Sequence, residues 1–392
     1  MQCPPALYAL LDDPALSRIE AQADEILETV GLWLIDDPES LSALADHGAR
    51  VVGDRVFVSG DRLRRLIRQA PARFVWRGRV TGRDVVVGGG RPVYAPTYGT
   101  PVIALPAGQR ALGTLDDYRA LVRFCDQSEL LDTTGFLLCI VHDPPEATRH
   151  LDMARLHLTL SDKPMMGTIL SPAALREVAA EVGAGPEPGA CRLLHMINTT
   201  PPLVLQENPL KCLRAASELG QGCLVSSYMM MGATSPVTIA GCLAQGLAEV
   251  MVGLALTQIW RPGVPVVGGI FGTQFSMRYM GPIFGLPESQ LVQLAGAQLV
   301  RRLGVPCRGD GMITGSKLND AQAGYEGAET LFASRSSGAD LILHAVGWSE
   351  FGRSHDRTKA ALDEALILGT HIPAEQRIAL PAGAFRPPSA GA

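Results

Sequence analysis

Residues 223–270 read CLVSSYMMMGATSPVTIAGCLAQGLAEVMVGLALTQIWRPGVPVVGGI. A short β-rich run, 223–228, opens the stretch, and a second, 264–270, closes it. Both are near-continuous in apolar residues, as strands covered on both faces are. Between them 236–260 reads as one helix opened by a proline, which suits a first helical turn. Strand, helix and strand of this kind imply two parallel neighbours joined by a crossover.

Working outward, the unit recurs. Upstream, β-rich runs fall at 93–95, 136–141, 164–169 and 193–197, and downstream at 305–308 and 341–344. Helical stretches follow at 115–125, 146–160, 172–182, 209–219, 287–303, 319–335 and 355–368. Eight such units, one per ~30 residues, predict an α/β protein built on a (β/α)8 TIM barrel over 91–370. A doubly wound open sheet is the rival arrangement. It would place a glycine turn for phosphate after the first strand, whereas Gly88-Gly89-Gly90 precedes one.

Residues 1–90 predict a small N-terminal α+β cap, with helices over 17–30, 38–47 and 61–69 and a hairpin turning at Gly53-Asp54. Residues 371–392 form a short Pro/Ala-rich tail. Hydrophobic residues make up 47% and charged residues 19%, enough for a large core and against disorder. A net charge of −5 argues against a nucleic-acid binder. The eight cysteines lack CxxC spacing, so neither a metal site nor a disulfide framework is expected, and they fit buried thiols in a reducing compartment. The N-terminus lacks the basic start and apolar run of a signal peptide, and the longest apolar stretch, 250–259, reads as too short and interrupted to span a bilayer. A cytoplasmic protein is expected.

In a barrel of this kind chemistry sits on the loops after the strands. Those positions hold Tyr98, His142, Thr168, Asn198, Tyr228 with Met229-Met230-Met231, the run 271–275 including Phe275, Asp310 and His344. Tyr98 either packs the mouth or offers a π face to a ligand. Asn198 either caps a turn or contacts a ligand. The methionines either fill core gaps or line a seat for a large cofactor, and His142 reads as a turn residue. The last third is richest, with Asp310, Thr314, Ser316, Lys317 and Asp320 after the seventh strand and His344, Trp348, Glu350 and Phe351 after the eighth. A histidine that ends an apolar strand and is followed by Trp, an acid and Phe points to a site; a core histidine bonded to a backbone carbonyl is the plainer alternative.

The opening stretch, together with SKLNDAQAGYE (316–326), ADLILHAVGW (339–348) and the cap segments ILETVGLWL (26–34), LADHGARVVGDRVFV (44–58) and APARFVWRGR (70–79), resembles the trimethylamine methyltransferase family. The resemblance covers nearly the whole chain. It implies a barrel enzyme that moves a methyl group from an amine nitrogen to the Co(I) of a corrinoid carried by a separate small protein. Only standard residues are present, so the chain is similar to the branch without pyrrolysine, whose members demethylate quaternary amines such as glycine betaine. The resemblance further implies that Tyr98, Asn198, Ser316, His344 and Phe351 line a betaine pocket. A DxHxxG cobalt-ligating motif is missing, so the corrinoid is expected on its partner protein, seated here by Met229, Met230, Met231 and Phe275. Association into a homo-oligomer is expected as well. Two departures stand out: relatives are expected to continue past the eighth helix, and GWSEFGRSHD (347–356) differs from the glycine-rich form expected there.

A quaternary ammonium has no lone pair and no N–H, so acid–base catalysis has nothing to act on. The nitrogen leaves as a neutral tertiary amine once its methyl is held in line with a nucleophile and water is excluded. Tyr98, Trp348 and Phe351 are candidates for an aromatic cage around the cation, and Asn198, Ser316 or His344 would donate to a carboxylate tail. His344, Asp310 and Glu350 form the candidate catalytic set, with the two acids set back from the ammonium, where they either orient His344 or Lys317 or mark a metal or partner contact. Two rival functions remain. One is another barrel enzyme on a small amino or anionic substrate, with His344 as base and Lys317 forming an imine. The other is a quaternary-amine sensor without catalysis.

Overall fold

The computed structural model describes residues 8–105, 108–187, 189 and 191–370. The tail expected at 371–392 lies outside them, as does Cys3.

The strands Met165–Gly167, Leu193–Asn198, Gly222–Met231 and Val266–Ser276 lie side by side in chain order and all parallel, and Gly281–Ile283 folds back antiparallel on the last. A second parallel set joins Arg308–Asp310 to Leu341–Leu343 and Leu341–Leu343 to Val93–Tyr94. Helices cover the outside in sequence, each packed on its neighbours: Arg149–Leu160, Pro172–Glu181, Glu207–Glu218, Ile239–Trp260, Pro287–Arg302 and Ala321–Ser336. The molecule is thus a mixed α/β fold whose parallel strands curl inside a layer of helices. Its strands are buried because both faces are occupied: Leu194, Ile197, Val225, Val266 and Val267 are fully enclosed.

Helix Ile239–Trp260 explains how the N-terminal segment is attached. Its 22 residues are long and apolar enough to cross a membrane, and 83% of the most apolar window is buried within the fold. The apolar run read from the sequence at 250–259 was only part of this helix. One side of the helix lies on the Gly222–Met231 and Val266–Ser276 strands, and the other carries Asp13–Glu25, Pro38–Asp46 and Gly60–Ile67. Sandwiched in this way, it is apolar all round. Gly253 lets it approach the sheet, since a Cβ there would lie 2.8 Å from Cγ1 of Val225. The N-terminal hairpin forms as expected around Gly53-Asp54, from Arg50–Val52 and Arg55–Phe57. Its sheet takes one more strand from far along the chain, Val204–Leu205, parallel to Leu32–Leu34.

Three differences from the sequence reading matter for the site. The strand expected at 136–141 forms no regular ladder. It bends at 136, 138 and 139, with a single bridge from Val141 to Gly113. Side chains have taken the carbonyls a ladder would use: Leu138 O accepts from Thr100 Oγ1 at 3.0 Å and from the His355 ring at 2.9 Å, and Phe136 O accepts from the Tyr118 hydroxyl. The Gly222–Met231 and Val266–Ser276 strands overrun their expected ends and stay paired as far as Met231–Gln274, so the methionine run and Phe275 lie in strands and not in loops. Asp310, expected in a loop, is the last residue of a strand and pairs with Leu343.

A small sheet was not foreseen. Trp348–Ser349, Ser354–Asp356, Val102–Ala104 and Arg110–Leu112 pair in that order. It ties the segment after Val93–Tyr94 to the segment after Leu341–Leu343, and so fixes the backbone that carries Trp348.

Candidate functional site

Alternation along the strands decides which side chains face inward. On Gly222–Met231, Val225, Ser227 and Met229 lie against glycines of helix Ile239–Trp260, so Ser226, Tyr228 and Met230 face the other way. On Val266–Ser276, Gly268 and Gly272 face helices and Gly269 and Phe271 do not. The inner face is crossed by Arg308. Its guanidinium donates to Ser226 Oγ at 2.7 Å, pairs with the Asp310 carboxylate, and lies 5.3 Å from the centroid of the Phe271 ring. A Cβ on Gly269 would sit 2.7 Å from Cδ of Arg308, so only glycine leaves room for that stem. Both members of the ion pair are buried, with side-chain exposures of 4% and 3%. Burial raises the pKa of Asp310, and the neighbouring guanidinium opposes the rise. Burial also pushes the Tyr228 hydroxyl up to about 12, with Asp310 adding to it.

His344 follows directly on the Leu341–Leu343 strand with φ at +57°, a left-handed conformation that costs a β-substituted residue on the order of 1 kcal/mol. Its Nδ1 accepts the backbone N–H of Tyr98 at 3.3 Å, which leaves the proton on Nε2. Burial drives its pKa well below the ordinary histidine value, and the positive Arg308 acts in the same sense. The ring is a neutral donor.

Aromatic rings extend from His344 in a continuous run. His344 and Trp348 have centroids 5.7 Å apart, and Trp348 meets Phe284 edge-on at 5.1 Å. Phe284 stacks on Phe271 at 6.2 Å, and Phe271 on Tyr228 at 5.1 Å. Phe351 lies 5.9 Å from Phe284 and rests on Gly315, where any Cβ would strike its ring. Phe284, Ile313 and Trp348 form a buried cluster of their own, separate from the main core.

The loops beneath these rings are pinned from behind. Lys359 Nζ donates to Met312 O at 2.6 Å and pairs with Asp363 at 2.7 Å, while Asp363 accepts the Gly347 N–H at 2.8 Å. Burial pushes the Asp363 carboxyl up to about 6 against the pull of Lys359. Glu326 accepts from Thr314 Oγ1 at 2.6 Å and from Gly315 N at 2.7 Å. The residues on either side of the aromatic run are therefore fixed by buried charges.

Of the residues expected from the sequence, His344, Trp348 and Phe351 come together, and Asp310 joins them as the counter-ion of Arg308. Tyr98 reaches His344 through its backbone N–H, and its hydroxyl donates to Gly167 O at 3.3 Å. Asn198 ends its strand exposed, and its amide makes no hydrogen bond to the described residues. Ser316 donates to Asp320 at 2.9 Å, and Asp320 caps helix Ala321–Ser336. Glu350 pairs with Arg110 on the small sheet. Lys317 is exposed and belongs to the wall of an outer cleft with Arg110 and Arg357. Met229 and Met231 are buried, while Met230 and Phe275 are half-buried. Among the described residues no three His, Cys, Asp or Glu side chains are grouped to hold a metal ion, and the seven cysteines there are free and buried.

Sequence reasoning missed Arg308 and Phe284. A signal for Arg308 was present, because it stands two residues before Asp310 in an otherwise apolar run and period 2 puts the two on one face. Phe284 had no signal beyond the scarcity of aromatics, since it lies just past a short return strand.

Comparison with known proteins adds three findings. A family model described as trimethylamine methyltransferase (MTTB) matches residues 2–372. Glycine betaine methyltransferase from Desulfitobacterium hafniense (strain Y51) is 32% identical over 364 residues, which is 92% of this chain and 76% of that protein. Proline betaine:corrinoid methyltransferase from Eubacterium limosum is 26% identical over 354 residues, 86% of this chain and 72% of its own. Among solved structures, the Methanosarcina barkeri monomethylamine methyltransferase (MtmB) superposes with a TM-score of 0.56 at 11% identity, covering 91% of this chain and 79% of that one. At that identity the likeness concerns the fold alone.

Proposed function

The chain belongs to the trimethylamine methyltransferase family, and on that premise we propose that it works in the cytoplasm, taking a methyl group from a glycine betaine-like quaternary amine and passing it to the Co(I) of a corrinoid on a separate protein. The observation that carries this reading is the run of rings from Tyr228 to Trp348, with Phe351 beside it, next to a histidine kept neutral. Aromatic faces attract a quaternary ammonium by about 0.5–2 kcal/mol each, depending on desolvation. The acid on this face, Asp310, is already neutralised by Arg308. No unpaired carboxylate therefore holds the ammonium in its charged ground state.

The chain's own residues do the positioning. Trp348, Phe284 and Phe351 would orient the trimethylammonium and keep water from it. His344, with its proton on Nε2, would donate to a polar tail of the amine. A corrinoid presents a broad macrocycle face, and an apolar rim would fit it: Phe275 and Met230 are half-buried at the base of the Val266–Ser276 and Gly281–Ile283 hairpin, with Met277, Tyr279 and Met280 exposed at its tip. When docked there, the corrinoid supplies the nucleophile for the methyl group. Met229 and Met231, buried in the strand, take no part in that seat.

This reading treats the two parallel sets as one closed (β/α)8 barrel over 91–370, preceded by the cap at 1–90. Supporting contacts bridge the gaps between sets: Asp132 N to Tyr94 O at 2.9 Å, Met166 N to Gly135 O at 2.9 Å, and a parallel bridge between Gly268 and Cys307. The test is methylcobalamin formation from free cob(I)alamin, followed by absorbance with glycine betaine, proline betaine, carnitine and trimethylamine as donors. Formation with a betaine is expected. A flat response to all four overturns the proposed activity, and tight binding without transfer would make the chain a sensor.

A further inference from the structure

Outer helices turn charge to solvent, and two here do not. Pro172–Glu181 exposes Arg176, Glu177 and Glu181, and Glu207–Glu218 exposes Glu207 and Glu218. Ala321–Ser336 instead exposes Ala321, Gln322, Tyr325, Ala328 and Phe332, a stripe at helical spacing without a charge. Past its first residue, Arg357–Gly369 also exposes only uncharged residues, among them Ala361, Leu362, Ala365 and Leu366. Tyr325, Phe332, Leu362 and Leu366 are 63%, 60%, 51% and 50% exposed. The half-buried acids of the two helices are engaged elsewhere: Glu329 accepts from Gln290 Nε2 at 2.7 Å, and Glu364 from Ser128 Oγ at 2.6 Å.

The two stripes form one face. Asn319 Nδ2 donates to Asp356 at 3.1 Å where both helices begin, and Arg335 donates to Thr370 Oγ1 at 3.0 Å and to Ile367 O at 3.3 Å where both end. Side by side they span about 24 Å by 20 Å, and with side chains standing on it the face offers on the order of 600–800 Å². A specific, stable interface takes about 800 Å² from each partner. Charge returns at the edge, where Lys317, Asp320 and Arg357 are exposed, so an apolar centre has a polar rim. A patch of this size on a soluble chain marks a surface that something covers.

We propose that this face is a two-fold interface between two copies of the chain. A charged partner surface would lose its water here and find no group to pair with. The face fits itself. The large Tyr325, Phe332, Leu362 and Leu366 alternate with the small Ala328, Ala361 and Ala365, and a two-fold axis sets the bulges of one copy over the hollows of the other. Such a self-complementary patch closes as a pair and leaves none of itself exposed. Pairing on the outer side of the helices leaves the inner face of the parallel strands open. It also braces the candidate site, because the buried sides of the same two helices carry Glu326, which holds Thr314 and Gly315, and the Lys359–Asp363 pair, which holds Met312 and Gly347.

The experiment is sedimentation velocity on the full chain over a wide range of concentration, with a mass of two chains expected at micromolar protein. F332E and L362E alter side chains that already face solvent, so neither should lower the melting temperature of the dilute protein. Each should raise the dimer dissociation constant at least about 100-fold, since two-fold symmetry buries two new carboxylates at once. A180E, on the charged face of Pro172–Glu181, should leave the dimer intact. The melting temperature of wild type should rise with protein concentration, and that of F332E should not. Wild type with the mass of one chain at every concentration overturns the proposal, as does any assembly that survives both F332E and L362E unchanged. Should both variants fail to fold, A365W fills a hollow without adding charge, and an unaltered dimer affinity in that variant overturns it. The amine reading of the inner face stands or falls separately from this result.

Discussion

His344 is placed to give a hydrogen bond and not to take a proton. Its Nδ1 is occupied by the Tyr98 N–H, and both burial and the positive Arg308 disfavour the imidazolium. The sign follows: a pKa pushed well below 6.5 keeps the ring neutral throughout the physiological range. The pH profile of kcat/KM for the proposed betaine demethylation should accordingly show no inflection near 6.5, and H344Q, which keeps a donor, should retain more activity than H344F. An inflection at 6.5 that disappears in H344Q would instead make the ring a base. The position stood out in the sequence, because a histidine closing an apolar run is out of place in a core, but the role did not, since the Tyr98 N–H and Arg308 that fix it come from distant parts of the chain. Glu350 was misread for a local reason. Glu350 and Phe351 both have positive φ, at 52° and 59°, and that turn sends the acid to Arg110 while the neighbouring ring goes to Phe284. Neighbours in sequence do not share a direction across such a turn.

At the level of elements, the sequence announced long, periodic pieces and hid short, side-chain-bonded ones. Helices such as Pro172–Glu181 and Pro287–Arg302 start at the expected prolines. The segment at 136–141 is apolar like a strand, yet the carbonyls of Phe136 and Leu138 go to Tyr118, Thr100 and His355, partners that no local pattern reveals. The small sheet around Trp348 was invisible because strands of two or three residues carry no periodicity. Its backbone depends on helix Arg357–Gly369, whose buried Lys359–Asp363 pair reaches both Met312 O and Gly347 N. Removing one partner strands a buried charge. K359M should cost about 3–5 kcal/mol in urea unfolding, and K359M/D363L considerably less. Equal losses in the two variants would mean that the contacts to Met312 and Gly347, and not the charge balance, hold these loops.

On the scale of the whole molecule, the parallel order of the strands was readable because each is a short apolar run followed by a helix. The join between the N-terminal segment and the rest was not, since it relies on a helix buried on two sides and on a strand, Val204–Leu205, borrowed from far along the chain. A fold this enclosed buries titratable groups in several places, and its response to acid follows from them. Burial lowers His157 to about 3, and His195 and His355 to about 4. Each is depressed in the fold, so the unfolded chain binds protons there that the native state refuses. The associated stability is complete above pH 6.5 and is lost as the pH falls toward those values. Asp363, raised to about 6, works the other way, as do Glu249 and Asp310, whose pKa values burial also raises; their contribution is present in acid and fades as the pH rises. The net acid slope is therefore shallower than the histidines alone would give, and a single histidine must be isolated to see its part. His157 suits this, because its ring nitrogens meet the Tyr118 hydroxyl at 2.7 Å and Thr134 Oγ1 at 2.8 Å, contacts a glutamine side chain partly replaces. Between pH 7 and pH 5 a ring with a folded-state value near 3 loses about 2 kcal/mol relative to the unfolded chain. The fall in unfolding free energy over that interval should be smaller in H157Q than in wild type by that amount, measured by urea denaturation at both pH values. A fall of equal size in the two proteins would mean that His157 already titrates normally in the fold, and that acid sensitivity arises elsewhere.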